Sequence, residues 1–161
     1  GRTGTFLCCE HYNLKPDVVT LAKGLGGGLP IGAVLMNEKV AEGMGPGTHG
    51  STFGGNPVVC AGAVEVLNRM DDTFLQNVTA KGRHMREEIE KMPHVTSVAG
   101  MGMMLGIELD IDVKPVVTAL MENGLLVLTA KHKMRLLPPL NIAQTELEKG
   151  LSILKNTLAA L

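Results

Sequence analysis

This sequence has few aromatic residues and no large excess of positive or negative charge. The 161-residue chain has no Trp, one Tyr and three Phe, and its formal net charge is −1. Surfaces that bind nucleic acid usually combine a basic patch with aromatic side chains that stack on bases. The composition therefore argues against a nucleic-acid partner.

Long apolar runs are also lacking, and cysteine is rare. No apolar run approaches the ~20 residues that a membrane-spanning helix needs, and no basic-then-apolar secretory leader is recognisable. The three cysteines, Cys8, Cys9 and Cys60, are odd in number and include an adjacent pair, which makes a poor disulfide framework and suits a reducing compartment. The five histidines form no metal-ligand pair at helical spacing. We expect a cytoplasmic protein without a metal or a membrane partner.

The first 70 residues have the pattern of a layered α/β domain. Residues 17–22 and 31–36 are short apolar runs without alternation, which is typical of parallel strands covered on both faces. Asn56 followed by Pro57 predicts a helix start, with Asn at the cap and Pro at the first helical position. The helix predicted from Pro57 to about Met70 is apolar nearly all round, so we expect it to be buried between layers.

Residues 71–161 have a different pattern, in which amphipathic helices alternate with short strands, and this pattern predicts a smaller α+β domain. An amphipathic helix is expected over 72–92 and a second helix over 113–123, ended by Gly124. Four strands are expected over 95–99, 103–109, 125–129 and 134–137. Leucines at 147, 151, 154, 158 and 161 recur at helical spacing and predict a C-terminal helix docked on this sheet. The whole chain is therefore predicted to be the end of an α/β layer followed by a compact α+β unit.

Lys23 is the first candidate site residue. It follows the apolar run that ends at Ala22 and precedes four glycines within five residues, Gly24, Gly26, Gly27 and Gly28. Glycine lets the backbone approach a ligand closely, and a desolvated amine in such a loop is a nucleophile for carbonyl groups. The alternative is a solvated lysine before a flexible surface loop, because a Gly-rich loop alone is a weak signal.

Two further positions carry candidate binding groups. Ser51 and Thr52 lie in a glycine-bounded loop just before the helix at Pro57, where hydroxyls and backbone N–H groups suit a phosphate; the alternative is an ordinary capping turn. Arg135 is a lone charge in the apolar strand 134–137, and its planar fork pairs best with a carboxylate. The alternative there is an edge-strand arginine that reaches water.

Three long sequence motifs carry a family resemblance. TLAKGLGGGLPIGAVL begins at Thr20, THGSTFGGNP at Thr48 and MRLLPPL at Met134, in that order. GRTG at Gly1 and the triplet Glu10-His11-Tyr12 extend the match towards the N-terminus. The chain resembles the class III (ornithine-type) aminotransferases, which use pyridoxal phosphate, and within them it most resembles the acetylornithine branch.

The resemblance implies a fold and a set of roles. It implies the end of the large domain of a fold-type I pyridoxal-phosphate transferase over 1–70, followed by the small C-terminal domain over 71–161. Lys23 would hold pyridoxal 5'-phosphate covalently and carry the reacting proton. Thr52 would bind the cofactor phosphate in the neighbouring subunit's site, which requires a homodimer, and Ser51 would lie near cofactor or substrate. Arg135 would bind the α-carboxylate of glutamate or 2-oxoglutarate. Arg2, Glu10 and His11 are assigned structural roles.

The implied activity is transamination of N2-acetylornithine with 2-oxoglutarate, a step of arginine biosynthesis. Ornithine, succinylornithine or 4-aminobutyrate remain alternative amino donors, and a non-catalytic dimerisation module remains an alternative of another class. A phosphate-binding module is disfavoured because a Gly-Lys-Ser/Thr loop is lacking. The family's aspartate for the pyridine nitrogen, its ring-stacking aromatic and its arginine for the distal carboxylate would precede Gly1. We therefore expect a C-terminal fragment that binds the cofactor weakly or not at all and does not transaminate alone.

Overall fold

The computed structural model describes all 161 residues, which form two compact units. The first unit comprises residues 9–74, and the second comprises residues 1–8 together with 75–161. Both combine helices with antiparallel strands, in agreement with the predicted α/β class. The first eight residues thus belong with the C-terminal part of the chain. The domain boundary near residue 70 stays a prediction.

The first unit contains a two-stranded antiparallel ribbon. Strand β1, Val18–Leu21, pairs with β2, Ala33–Met36, with Val18 opposite Met36. The prediction of two buried strands of the parallel type is therefore wrong. No residue of either strand is fully buried, because a ribbon of two strands brings no layer of its own to cover its faces.

Two helices and two 3-10 turns complete the first unit. The 3-10 turns span Cys8–Tyr12 and Lys23–Gly26. Helix α1 spans Glu38–Ala41 and α2 spans Pro57–Asn68.

Helix α2 begins where the sequence predicts, and its burial differs. The Asn56 Oδ1 accepts hydrogen bonds from the backbone N–H groups of Val58 and Val59, at 3.0 and 3.3 Å, which confirms the predicted cap. The predicted burial on all sides is wrong, because Ala63 is the only buried residue of the helix and Val58 is 69% exposed. An apolar helix is buried only where neighbouring elements cover it, and residues 9–74 alone cover one side.

The second unit is a four-stranded antiparallel sheet with three helices. The strands are β3, Val95–Met101, β4, Met104–Leu109, β5, Leu128–Ala130, and β6, Lys133–Leu136, in the spatial order β3-β4-β6-β5. The helices are α3, Asp72–Ile89, α4, Val113–Glu122, and α5, Gln144–Ala159. The predicted helices and strands of this half are all present, with ends displaced by a few residues.

The core of the chain lies in this second unit. Strands β4 and β6 turn alternate apolar residues inward, and helices α3, α4 and α5 supply the facing side chains. The fully buried large side chains include Met85, Ile89, Leu105, Ile107, Leu120, Met134, Leu154 and Leu158. The predicted leucine stripe of α5 is confirmed at 147, 151, 154 and 158, whereas Leu161 lies beyond the helix end and is 56% exposed.

We expect Leu154→Ala to lower the free energy of unfolding of the second unit by about 2–5 kcal/mol, because it leaves a cavity at a fully buried site. Leu161→Ala makes the same chemical change on an exposed side chain and should stay within about 0.5 kcal/mol of the parent chain. Urea unfolding of both variants, followed by circular dichroism, checks the difference. Equal effects of the two substitutions would contradict this assignment of the core.

Candidate functional site

Lys23 occupies an uncommon backbone conformation directly after the first strand. It opens the 3-10 turn Lys23–Gly26, and its φ of 57° lies in the left-handed region that residues with side chains rarely adopt. The side chain is exposed, and its amine makes neither a hydrogen bond nor an ion pair in the structure. Backbone strain of this kind concentrates at functional sites. The amine is therefore unpaired and exposed to solvent.

The glycine loop after Lys23 rests on helix α2. A Cβ built on Gly27 would lie 3.1 Å from a methyl group of Val66, and a Cβ on Gly62 would lie 2.9 Å from Leu29. By contrast, a Cβ on Gly24 or on Gly28 would meet no atom within 4 Å. Helix α2 thus supports the loop from one side, and open space remains beside the lysine.

The hydroxyls of Ser51 and Thr52 are also free. Both residues are exposed and lie in the loop before α2, where the backbone N–H of Gly54 donates to the carbonyl of Ser51 at 3.2 Å. The cap of α2 is supplied by Asn56 alone. The loop forms a turn before the helix that Asn56 caps, as the alternative expects, and its two hydroxyls remain available as donors to an anion.

Arg135 lies in an internal strand of the second unit. It stands opposite Gly106 of β4 on one side and opposite Leu128 of β5 on the other. The alternative of an edge-strand arginine is therefore wrong. Its Nε is buried and has no hydrogen-bond partner, and no ion pair reaches its guanidinium. A buried donor left unpaired costs free energy, so this group has the features of one that awaits an anion.

The charged groups near Arg135 on the sheet are paired with one another. Lys133 on the same strand forms an ion pair with Glu108 of β4, with Nζ and Oε2 3.2 Å apart. A hydrogen bond from the Ser97 hydroxyl, together with the Lys133 ammonium, holds the pKa of the Glu108 carboxyl below its ordinary value. The Glu108 carboxylate is thus paired with Lys133, and no ion pair joins it to Arg135.

Ser51 and Thr52 are neighbours in the chain, and the structure gives neither of them a hydrogen bond to the third candidate of this unit. No hydrogen bond joins Lys23 to Ser51 or Thr52 within the first unit, and Arg135 belongs to the second unit. Outside these positions, no group of three or more His, Cys, Asp or Glu residues has metal-binding geometry, and Cys8, Cys9 and Cys60 are free thiols. None of the helices combines the length and the apolar content that crossing a bilayer requires.

Arg2, to which the sequence analysis assigns a structural role, makes contacts that the sequence did not reveal. Its guanidinium Nη1 donates to the carbonyl oxygens of Met103, at 3.2 Å, and of Pro138. Partial burial lowers the pKa of Arg2 from its ordinary value, although an arginine stays protonated in proteins. The sequence offered only the GRTG word as a signal, and both partners lie more than 100 residues away.

Comparison with known proteins places the chain in a family. The family model described as aminotransferase class-III matches residues 1–158. The chain belongs to this family. An acetylornithine aminotransferase from Haemophilus ducreyi is 51% identical over 161 residues, which cover 99% of this chain and 41% of that protein. The chain thus spans about two fifths of the length of this curated relative.

Solved structures of ornithine and acetylornithine aminotransferases share the fold of this chain. The acetylornithine aminotransferase from Elizabethkingia anophelis superposes with a TM-score of 0.88 at 35% identity, over 99% of this chain and 43% of that one. An ornithine aminotransferase from Toxoplasma gondii, described as having partial occupancy of PLP at its active site, superposes with a TM-score of 0.90 at 35% identity, over 99% of this chain and 40% of that one. The resemblance and the fold class inferred from the sequence are confirmed.

The residues of the first unit fit the pyridoxal phosphate on which this family depends. A covalent cofactor of this kind needs an unpaired amine, and Lys23 has one. Its phosphate needs donors, and Ser51 and Thr52 have unused hydroxyls in a loop that ends at a helix N-terminus. A Cβ at Gly24 or Gly28 would meet no atom within 4 Å, so no neighbouring group covers the loop at these two positions. The donor set therefore agrees with the cofactor.

Proposed function

We propose that this chain is the C-terminal part of a pyridoxal-phosphate-dependent aminotransferase that transfers an amino group from N2-acetylornithine to 2-oxoglutarate, in arginine biosynthesis. The observation that carries the proposal is the unpaired amine of Lys23, held on a strained backbone in an open glycine loop. The choice of amino donor is supported by the acetylornithine aminotransferases that the chain resembles.

Each candidate residue has a role in this proposal. The Nζ of Lys23 would hold the cofactor covalently and, as a free amine, would take the proton from the reacting carbon of the substrate. The cofactor, when bound, supplies the electron sink. The hydroxyls of Ser51 and Thr52 would donate hydrogen bonds to its phosphate group and so fix the position of the phosphate.

Arg135 is proposed to bind the α-carboxylate of glutamate and 2-oxoglutarate. A guanidinium fork can donate two parallel hydrogen bonds to a carboxylate. The unpaired Nε of Arg135, and the pairing of Glu108 with Lys133, both support this role. Gly106, the residue opposite in β4, adds no side chain that would cover the guanidinium.

We further propose that the active form is a cytoplasmic homodimer in which Thr52 serves the partner's site. Phe53, the residue beside Thr52, is 84% exposed, and Val58 of the same region is also exposed. Large exposed apolar side chains that lie close together in the sequence are consistent with an interaction surface. This proposal adds that the 161 residues do not transaminate alone, since the first unit lacks covering layers.

A chimeric enzyme tests the proposed activity. The residues of the Haemophilus ducreyi acetylornithine aminotransferase that precede the matched region are joined to Gly1 of this chain, and transamination with 2-oxoglutarate is measured. We expect activity with N2-acetylornithine at a kcat/KM at least about tenfold above that with ornithine, succinylornithine or 4-aminobutyrate, a difference of about 1.4 kcal/mol. The 161-residue chain alone should be inactive.

Two outcomes of this experiment would overturn the proposal. A chimera that prefers another amino donor would refute the substrate, and a folded chimera that binds pyridoxal phosphate without transaminating would refute the activity. The unmodified Haemophilus ducreyi enzyme, assayed beside it, controls for the conditions of the assay.

A further inference from the structure

Arg2 joins two distant segments of the second unit. Its Nη1 donates to the carbonyl oxygen of Met103, in the turn between β3 and β4, and to that of Pro138, after β6. Its own carbonyl accepts a hydrogen bond from the backbone N–H of Met103 at 3.0 Å. No carboxylate pairs with Arg2, so its side chain is committed to these two carbonyls. Arg2 therefore acts as a cross-link between the hairpin and the end of the last strand.

The hydrogen bond from Arg2 to the Pro138 carbonyl anchors a segment that lies beyond the last paired residue of β6. The pairing of β4 with β6 ends at Leu105 opposite Leu136. Pro138 and Pro139 follow, and proline has no backbone N–H to donate to a neighbouring strand. The segment that leaves β6 would therefore be held by fewer backbone bonds. The guanidinium of Arg2 holds this segment three residues after Arg135.

Two glycines fix the backbone on which Arg2 stands. A Cβ on Gly102 would lie 2.5 Å from the carbonyl oxygen of Arg2, and a Cβ on Gly82 of α3 would lie 2.2 Å from the carbonyl oxygen of Gly102. Helix α3, the β3–β4 turn and the N-terminal segment are thus stacked backbone to backbone. Close packing of this kind leaves Arg2 little freedom to move away from its partners.

We propose that Arg2 is a positioning residue for Arg135. Its two hydrogen bonds hold the end of β6 against the β3–β4 turn and thereby fix the strand from which Arg135 binds the substrate carboxylate. This inference rests on the proposed function of Arg135. Small displacements of a binding group have large effects on its interaction with a substrate. A residue that only positions the backbone of Arg135 therefore changes the affinity of the site for the substrate carboxylate.

Arg86 offers a matched control within the same unit. Its guanidinium also donates to two backbone carbonyls, those of Val98 and Gly100, the second at 2.8 Å. Both carbonyls belong to β3, at the opposite edge of the sheet from β5. Arg86→Met therefore removes the same kind of cross-link without touching the strand of Arg135.

Hydrogen exchange on the 161-residue chain tests the cross-link. We expect Arg2→Met to speed amide exchange in peptides that cover residues 133–138 by about tenfold, which corresponds to about 1.4 kcal/mol of local opening free energy. Arg86→Met should instead speed exchange over residues 95–101. Arg2→Lys keeps the charge and an ammonium that donates hydrogen bonds, without the planar guanidinium, and should restore part of the protection. Unchanged exchange over 133–138 in Arg2→Met would overturn the proposal.

Half-reaction kinetics in the chimera test the consequence for the substrate. Arg2→Met should raise the KM for 2-oxoglutarate about tenfold, or about 1.4 kcal/mol, and leave the half-reaction with N2-acetylornithine within about twofold. Arg86→Met should leave both unchanged. Equal losses in the two half-reactions of Arg2→Met would indicate a general loss of structure and overturn the positioning role. If Arg135→Met itself leaves the KM for 2-oxoglutarate unchanged, the proposed carboxylate site is wrong, whatever Arg2 does.

Discussion

Replacing Lys23 with alanine should abolish transamination by the chimera, with kcat lowered by at least about 10⁴-fold. The substitution removes the covalent anchor of the cofactor and the group that moves the proton, and no other lysine lies in the glycine loop. Steady-state assays with N2-acetylornithine and 2-oxoglutarate measure the loss. The large effect is expected because one amine carries both roles.

A chemical readout that does not depend on turnover accompanies this prediction. Borohydride reduction in the presence of pyridoxal phosphate should add the mass of one cofactor to the chimera and none to its Lys23→Ala variant. Lys39→Ala, which removes an exposed lysine of α1 in the same unit, should leave the adduct and the activity intact. An adduct of equal yield in the Lys23→Ala variant would refute the assignment of Lys23.

Replacing Arg135 with methionine should raise the KM for 2-oxoglutarate in the chimera by about 10²-fold, or about 2.8 kcal/mol. The guanidinium supplies charge-assisted hydrogen bonds to the substrate carboxylate. Its Nε makes no hydrogen bond within the chain, so the substitution mainly removes contacts with the substrate. Arg135→Lys keeps the charge without the planar guanidinium, and its KM for 2-oxoglutarate should lie between that of the parent chimera and that of Arg135→Met. Initial rates over a range of 2-oxoglutarate concentrations measure the change.

The neighbouring Lys133 is the control for this prediction. Lys133→Met alters a cation of the same strand that is already paired with Glu108, so we expect less than a threefold change in KM, or about 0.6 kcal/mol. If Lys133→Met raises KM as much as Arg135→Met does, the carboxylate responds to the general charge of the strand. Arg135 would then have no specific role.

The sequence by itself determined the features that depend on neighbouring residues. Asn56 and Pro57 predict the start of α2 because a cap and its first turn lie within four residues. The leucine stripe of α5 follows from helical spacing alone, and Gly124, with φ 86°, ends α4 as expected of a left-handed stop. The words around Lys23, Thr52 and Arg135 were sufficient to recognise the family, because site chemistry is carried by short contiguous stretches.

Only the tertiary structure decided the features that depend on distant residues. The apolar runs of β1, β2 and α2 predict burial, but burial requires covering layers, and residues 9–74 do not supply them to one another. Arg135 could be an edge residue until the strand order placed β6 between β4 and β5. Arg2 meets its partners 101 and 136 residues along the chain, and no local pattern encodes contacts of that range. Such contacts arise from the packing of the whole unit, and for this reason the role of Arg2 emerged only from the fold.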